Sequence, residues 1–279
     1  MKIVRTVVEL REALDPMRMQ GRSIGFVPTM GALHEGHLSL VRAARVDNDV
    51  VVLSIFVNPL QFGPTEDLSA YPRSEGSDLA AAEEADVDVV FLPSVEEMYP
   101  PGRSTRIETG VVADPLEGAS RPGHFSGVAT VVAKLLNLVQ PDRVYFGQKD
   151  AQQVAVVKTM VRDLSFPADV VVCPTVREAD GLALSSRNVY LKGEERTRAT
   201  VLWRALEAGR RTLLAGDSVR TAELEMREVV AGEQGVQLDY ASIVDPDTFG
   251  PAIDGGPYLL VIAARVGTAR LIDNLRIDV

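Results

Sequence analysis

Two histidines, His34 and His37, are the side chains of this chain best placed to do chemistry. They follow an apolar run over 24–28 that predicts a buried strand, and they lead into residues 37–45, whose apolar side chains recur at helical spacing. Gly31 and Gly36 allow the backbone to approach an oxyanion closely, and the N–H groups of a helix start favour negative charge. The two imidazoles lie about one helical turn apart and can face one ligand. The pattern predicts a phosphate-handling site, although the same residues could simply cap and pack the helix.

A second polar segment, 56–63, follows the next apolar run. Asn58 and Gln61 offer neutral donors and acceptors, which suit hydroxyls and a carboxylate better than phosphate. Asn-Pro and Phe-Gly in the same segment are also ordinary turn residues. A substrate contact and a plain turn both stay open at this point.

Positive charge occurs at two further loops. Lys149 follows the run 143–146 beside a glycine, where a lysine can meet a phosphate as a mobile point charge. In the loop 174–188, Ser185 and Ser186 precede Arg187, whose guanidinium can fork onto phosphate oxygens. Such a loop can close over a nucleotide and exclude water. A surface lysine and a polar hinge are the alternative interpretations.

The elements that must position these side chains alternate along the first part of the chain, which predicts a parallel sheet with crossover helices. Ligands bind at the carboxyl ends of strands in such sheets. We predict an α/β fold, with a Rossmann-like doubly wound parallel sheet in a domain over 1–176 and a smaller α+β domain over 177–279 that closes over the site. The predicted strands are 23–28, 50–57, 87–92, 143–146 and 168–174, and the predicted helices are 38–46, 77–85, 126–139 and 151–164. In the second domain the predicted helices are 194–215 and 221–231, followed by β-rich runs at 237–244 and 258–266 and a final segment at 269–277.

Composition narrows the class of protein. The formal charge of −10 over 279 residues argues against a nucleic-acid surface. Cys173 is the only cysteine, so no intrachain disulfide can form. The charged first residues do not resemble a signal peptide, and no apolar stretch approaches the ~20 residues of a membrane span. We therefore expect a cytoplasmic protein with no membrane partner. A Walker-type phosphate loop, a zinc spacing and a hydrolase nucleophile elbow are all absent from the sequence.

Taken together, these motifs carry a family resemblance. His34-Glu-Gly-His37, the loop 147–150 and the loop 184–187 resemble the HIGH and KMSKS signatures of the nucleotidyltransferase superfamily. Within it, the segments 28–37, 56–62, 121–128 and 177–188 resemble the motifs of the pantoate–β-alanine ligase family, in the same order and over essentially the whole chain. The family usually has methionine where this chain has Leu184, a volume-conserving apolar exchange.

The resemblance implies a two-step reaction with small-molecule substrates: pantoate and ATP form pantoyl adenylate, and β-alanine then releases pantothenate and AMP. It implies catalytic roles for His37 as proton donor and for His34, Lys149, Ser185, Ser186 and Arg187. The implied ATP contacts are Met30, Gly31, Ala32, Leu33, His34, Glu35, Gly36, His37, Gly147, Gln148, Lys149, Asp150, Val176, Leu184, Ser185, Ser186 and Arg187. Gln61 and Gln153 would hold pantoate together with Asn58, while Met30 and Phe62 pack on its dimethyl group. Arg121 and His124 would help to order the site.

The resemblance also implies a homodimer and Mg²⁺ bound with ATP, for which the sequence commits to no protein ligand, although Asp78 or Asp150 could assist. Three rival functions compete. A sibling transferase that joins AMP to a phosphate acceptor would need a basic pocket, and a class I aminoacyl-tRNA synthetase would need far more chain and a basic surface. A nucleotide sensor on the same scaffold would need neither Lys149 nor both histidines.

Overall fold

A computed structural model describes residues 1–64, 66 and 68–278 and divides the chain into two compact units. The N-terminal unit comprises Met1–Gly147 and Val156–Cys173, and the C-terminal unit comprises Gln148–Ala155 and the chain from Pro174 onward. The division expected from the sequence, 1–176 and 177–279, stays a prediction. Each unit has its own apolar core.

The described residues of the N-terminal unit form a six-stranded sheet in which every neighbouring pair is parallel. The strand order is β1-β4-β3-β2-β5-β6. Because the chain runs outward from β2 to β4 and then returns to place β5 beside β2, the order reverses between β2 and β5, which is where ligands bind in open α/β sheets. The strands are β1 Lys2–Val4, β2 Ile24–Thr29, β3 Val50–Ile55, β4 Val89–Phe91, β5 Arg143–Gly147 and β6 Asp169–Cys173.

Helices cover both faces of this sheet. Residues of β3 that alternate along the strand, such as Val51 and Leu53, pack in one apolar cluster with Leu40 and Val41 of α2. Val52, which points the other way, is equally buried, as expected for a parallel sheet between helical layers. The helices are α1 Val7–Met19, α2 Glu35–Asp47, α3 Glu75–Glu84, α4 Val95–Met98, α5 Glu117–Ser120, α6 His124–Val139 and α7 Ala151–Asp163, the last of which begins in the C-terminal unit.

The C-terminal unit contains an antiparallel sheet of order β7-β8-β9 in its described residues, with strands β7 Val236–Val244, β8 Tyr258–Val266 and β9 Ala269–Ile277. Two helices, α9 Val201–Leu214 and α10 Val219–Ala231, pack on it through Leu206 and Met226. Gly209 permits this contact, because a Cβ there would lie 2.7 Å from the Met226 side chain.

The α/β fold class is confirmed, and the predicted strands and helices lie within three residues of the observed ones except in one place. The helix predicted over 194–215 is interrupted, with α8 Glu194–Arg198 preceding α9. The Thr200 N–H and hydroxyl both donate to the Thr197 carbonyl, at 3.2 and 2.7 Å. Threonine hydroxyls that bond local carbonyls compete with regular helix geometry, which periodicity alone does not reveal. The strand β1 and the helices α1, α4 and α5 had no counterpart in the prediction.

Candidate active site

The loop after β2 is held by a buried carboxylate on α3. Asp78, which is 3% exposed, accepts the Ala32 N–H at 2.9 Å through Oδ2 and the Leu33 N–H at 2.7 Å through Oδ1. Gly31 adopts φ +82°, and a Cβ there would lie 2.9 Å from Asp78 Oδ2. Glycine is therefore required both for the backbone conformation and for the approach of the carboxylate. The result is a tight turn that delivers the chain to the start of α2.

The imidazoles of His34 and His37 each accept a backbone N–H at Nδ1. His34 caps α2 by accepting the Gly36 N–H at 3.1 Å, and His37 Nδ1 accepts the His34 N–H at 3.4 Å. The ring centroids lie 4.1 Å apart. A neutral imidazole that accepts at Nδ1 carries its proton on Nε2, so this hydrogen-bond network assigns a donor to Nε2 of both rings. Paired N–H donors at a helix N-terminus suit a phosphate oxygen.

Asn58 is the centre of a buried polar cluster beside α6. Its amide nitrogen donates to Gln61 Oε1 at 3.0 Å and to the Gly127 carbonyl at 3.1 Å. Its oxygen accepts the Leu60 N–H at 3.2 Å and the Tyr99 hydroxyl at 2.8 Å. These four bonds use the full donor and acceptor capacity of the amide. Asn58 therefore holds its neighbours in place through these bonds, and it fixes the orientation of the Gln61 amide in particular.

Gln61 and Met30, both expected to contact pantoate, lie in contact with each other. The Gln61 amide nitrogen is 3.1 Å from the Met30 sulfur, while its oxygen accepts from Asn58. These two contacts fix which end of the Gln61 amide is the donor end. Phe62, the next residue, packs edge-on against the Tyr71 ring with centroids 5.8 Å apart.

The Gln61 backbone is held as firmly as its side chain. Its carbonyl accepts from His124 Nδ1 at 2.8 Å and from Arg121 at 3.3 Å, and Arg121 also pairs with Glu66 at 2.7 Å. His124 Nε2 lies 3.0 Å from an Arg121 nitrogen and must accept there, because arginine only donates. Burial, together with the Arg121 charge, lowers the pKa of His124 to about 4. A neutral His124 thus anchors Gln61.

In the C-terminal unit, Lys149 lies in a single 3₁₀ turn, Gln148–Asp150. The Asn274 amide donates to the Gln148 carbonyl at 2.9 Å and to the Lys149 carbonyl at 2.8 Å. The Lys149 ammonium lies 3.7 Å from an Asp150 oxygen, and its side chain is 18% exposed. The backbone of the turn is fixed, and the lysine side chain is mostly buried.

The loop that carries Ser185 and Arg187 begins as a small antiparallel hairpin. Arg177 and Ala183 form a bridge, and the Leu184 N–H donates to the Val176 carbonyl at 3.0 Å. This bond brings together Val176 and Leu184, which the resemblance assigned to the nucleotide. Ser185 then caps the 3₁₀ turn Ser186–Tyr190 by accepting the Arg187 N–H at 3.3 Å.

The remaining expected residues lie at element ends: Glu35 and Gly36 in the first turn of α2, Gly147 at the end of β5, and Gln153 in the first turn of α7. Sequence reasoning missed the parts played by Tyr99 and by Asp273 and Asn274 of β9. The only sequence signal for the latter pair is a polar interruption between Ile272 and Leu275. Among the described residues, no group of three His, Cys, Asp or Glu side chains could hold a metal ion, and no helix there is long and apolar enough to cross a membrane.

Comparison with known proteins adds an independent observation. The family model described as pantoate-beta-alanine ligase matches residues 2–276. A pantothenate synthetase from Acidobacterium capsulatum is 54% identical over 99% of this chain and 96% of its own length. One from Caldicellulosiruptor saccharolyticus is 50% identical over the full length of both.

Solved structures agree with this match. The crystal structure of pantothenate synthetase from Thermus thermophilus superposes with a TM-score of 0.96 at 53% identity, over the whole of both chains. The pantoate-beta-alanine ligase of Francisella tularensis, complexed with beta-gamma ATP and beta-alanine, has a TM-score of 0.83 at 37% identity over 99% of this chain and 97% of its own.

Proposed function

Because this chain belongs to the pantoate–β-alanine ligase family, we propose that it makes pantothenate in two steps through a pantoyl-adenylate intermediate, with ATP as the second substrate of the first step. The observation that carries the proposal is the pair of imidazoles at the start of α2, whose Nδ1 atoms accept backbone N–H groups. This arrangement leaves the donor of each ring on Nε2. The ATP complex of the Francisella tularensis relative supports the choice of nucleotide.

In the first step a pantoate carboxylate oxygen attacks the α-phosphorus of ATP. A new oxygen–phosphorus bond forms, the bond from the α-phosphorus to the bridging oxygen breaks, and pyrophosphate leaves with the electron pair. Negative charge grows on the α-phosphate and on the leaving group, so catalysis consists mostly of positioning and charge stabilisation. We assign the Nε2–H groups of His34 and His37 to these oxygens. We also assign to the phosphates the side chains of Lys149, Ser185, Ser186 and Arg187.

In the second step the β-alanine amine attacks the acyl carbon of the adenylate. The carbon–nitrogen bond forms, the acyl carbon–oxygen bond breaks, AMP departs and the amine loses a proton. This step depends more on holding the β-alanine amine beside the adenylate than on further stabilisation of negative charge. Gln61, whose donor end is fixed by Asn58 and which contacts Met30, is assigned to both acceptor substrates, with Gln153 as a second pantoate contact.

Asn58 takes a different part from the one that its position in the sequence suggested. Because all of its polar capacity is used by Gln61, Gly127, Leu60 and Tyr99, we propose that it orients Gln61 and does not bind pantoate itself. Met30 and Phe62 supply the apolar side of the pantoate site.

Magnesium is proposed to arrive with ATP, where it would neutralise part of the phosphate charge. Asp78 does not fit as a ligand, because its two oxygens accept the Ala32 and Leu33 N–H groups. Asp150 fits better, since its side chain is 48% exposed. The homodimer and the cytoplasmic location also stay proposals. Sedimentation equilibrium tests the dimer, for which we expect twice the mass of the chain.

Exchange of labelled pyrophosphate into ATP tests the adenylate directly. With pantoate present and β-alanine absent, we expect exchange, because adenylation is reversible while the intermediate stays bound. Omission of pantoate is the matched control and should abolish exchange. Folded protein that catalyses no exchange but still forms pantothenate would contradict the adenylate route. Exchange without pantoate would contradict the assignment of pantoate as the substrate that accepts AMP.

A further inference from the structure

Two adjacent polar residues interrupt the apolar pattern of β9. Asp273 and Asn274 are each 4% exposed, whereas Leu271 and Ile277 of the same strand belong to the apolar core of the C-terminal unit. Buried polar groups are costly unless they are hydrogen-bonded. The partners of these two residues therefore indicate what the pair does.

Asp273 holds the loop that leads to Ser185 and Arg187. Its carboxylate accepts two bonds from the Arg177 guanidinium, at 2.6 and 2.9 Å. Arg177 also donates to the carbonyls of Gly181, at 3.0 Å, and Asn274, at 3.1 Å, and lies 4.0 Å from the centre of the Trp203 ring. A guanidinium that donates hydrogen bonds from both terminal nitrogens and stacks on an aromatic ring has little conformational freedom. The hairpin at the start of the loop is thereby fixed to β9.

Asn274 holds the 3₁₀ turn Gln148–Asp150, which carries Lys149. It donates to the carbonyls of Gln148 and Lys149 and accepts from the Gln148 side chain at 3.2 Å. All of these groups belong to the C-terminal unit. The carbonyl of Lys149 is thus fixed directly, which sets the position from which the lysine side chain extends.

The hydrogen bonds made by Asp273 and those made by Asn274 share an atom. The Asp273 oxygen that accepts from Arg177 at 2.9 Å also accepts the Asn274 backbone N–H at 2.7 Å. A shift of either residue therefore displaces the other. The segments that they hold lie far from β9 in the sequence, since Asn274 and Lys149 are 125 residues apart.

We propose that Asp273 and Asn274 are positioning residues that set the spacing between Lys149 and the loop carrying Ser185, Ser186 and Arg187. The inference rests on the proposed phosphate-binding roles of those residues. Neither residue of the β9 pair touches substrate. Their effect passes through the Lys149 carbonyl and the Arg177 guanidinium.

A double-mutant cycle tests the proposed effect of Asn274 on Lys149, with pyrophosphate exchange as the readout. Asn274→Ala should slow exchange by roughly 10–10² fold, because a displacement of about 1 Å at a reacting group can cost that much. In a Lys149→Ala background the same substitution should slow exchange by less than about threefold, because the group through which it acts is gone. ATP affinity measured by calorimetry should follow the same pattern.

Asp239→Asn provides the matched control. Asp239 pairs with Arg270 of β9 at 2.6 Å, but within the described part of the chain it makes no bond to either loop. It should lower thermal stability without changing the exchange rate by more than about twofold, a bound set by analogy with independent sites. Asp273→Asn should slow exchange, and its effect should shrink in an Arg187→Ala background.

Three results would overturn the inference: wild-type exchange in Asn274→Ala, an equal loss in both Lys149 backgrounds, or a loss of the same size in Asp239→Asn. Should Asn274→Ala fail to fold, Asn274→Leu replaces it in the cycle, because leucine keeps a similar branched shape, carries no charge and loses the two donated bonds. Absence of pantoate-dependent exchange in the wild-type protein would instead contradict the proposed function, so the two failures are distinguishable.

Discussion

At the start of α2, one set of hydrogen bonds can serve both helix capping and the proposed phosphate contact of His34 and His37. The bonds to Nδ1 of His34 and His37 cap α2, and the same bonds leave the proton of each neutral ring on Nε2. Capping and catalysis were alternative interpretations of the sequence. At the scale of the residue they are compatible, because they use opposite nitrogens of the same ring.

Substitution of His37 separates these two uses. Asn places an oxygen near the position of Nδ1 and can still accept the His34 N–H, but it has no donor at the position of Nε2. We expect His37→Asn to lower the rate of adenylation by roughly 10²–10³ fold and to leave the melting temperature nearly unchanged. His37→Gln, which extends an amide donor toward the Nε2 position, should recover part of the rate. Wild-type turnover in His37→Asn would contradict the assigned role.

The buried His124 predicts a pH dependence of stability. Its pKa is lowered to about 4 in the folded protein, first by burial and then by the charge of Arg121, and it lies near 6.5 in the unfolded chain. The folded state disfavours the protonated ring, so the stability from neutral His124 is complete above about pH 6.5 and is lost as the pH falls toward 4. At about 1.4 kcal/mol per pH unit, the loss is roughly 3 kcal/mol.

His124→Asn is the comparison that isolates this group, because its amide can still donate to the Gln61 carbonyl but does not titrate. Urea unfolding at pH 7 and pH 4 should show that the wild-type protein loses more free energy of unfolding than the variant. Glu66 and Glu117, which also face His124, are present in both proteins, so the two proteins differ only in the side chain at position 124. Equal losses in the two proteins would contradict the prediction.

At the scale of elements, the turn that carries Gln61 depends on a glycine in a neighbouring helix. A Cβ at Gly127 of α6 would lie 2.2 Å from the Leu60 carbonyl oxygen and 2.7 Å from the Gln61 nitrogen. Both are backbone atoms, so the whole turn would have to move. The close approach of α6 to this turn therefore places Gln61.

Gly127→Ala should raise the KM for pantoate and lower the free energy of unfolding by about 1–3 kcal/mol, the usual cost of overpacking. Gly76→Ala is the matched control, because Gly76 is a helical glycine of α3 and a Cβ there would meet no described atom within 4 Å. It should stabilise the protein by up to about 1 kcal/mol through helix propensity. Steady-state kinetics and urea unfolding measure both, and an unchanged KM in Gly127→Ala would contradict the placement of Gln61.

At the scale of the whole molecule, the single cysteine reports on opening of the fold. Cys173 ends β6, is 8% exposed, and has its thiol pKa raised by burial. A thiol reagent should therefore label it at least about 10² fold more slowly in the native protein than in denaturant.

Substrate binding should slow this labelling further. At a concentration of about 100 times its Kd, a ligand that binds only the native state lowers the open population by about 10² fold, so ATP with pantoate should reduce the labelling rate by up to that factor. The denatured protein is the control and should show no ligand effect. Labelling of the native protein at the rate of a free thiol would contradict the burial of Cys173.

The features that the sequence determined by itself are those set by residues close together in the chain. Residues 50–57 are apolar on both faces and predicted a strand between helices, and the spacing of His34 and His37 with Gly31 and Gly36 predicted a phosphate-handling helix start. These features depend on side-chain periodicity and on backbone conformation, which neighbouring residues set. The same reasoning failed at Thr200, where a side-chain hydrogen bond interrupts a periodic helix.

The tertiary structure alone decided which distant polar groups meet. Asp78 holds the Leu33 N–H from 45 residues away, and Asn274 holds the Lys149 carbonyl from 125 residues away. A buried polar group takes its partner from whatever segment the fold brings beside it, because leaving it unpaired is costly. No spacing along the chain encodes such pairs. The proton position on His124 follows from such a contact, with the Gln61 carbonyl 63 residues away, whereas those on His34 and His37 follow from backbone N–H groups within three residues. The Gln61 side chain is likewise oriented in part by Met30, 31 residues away.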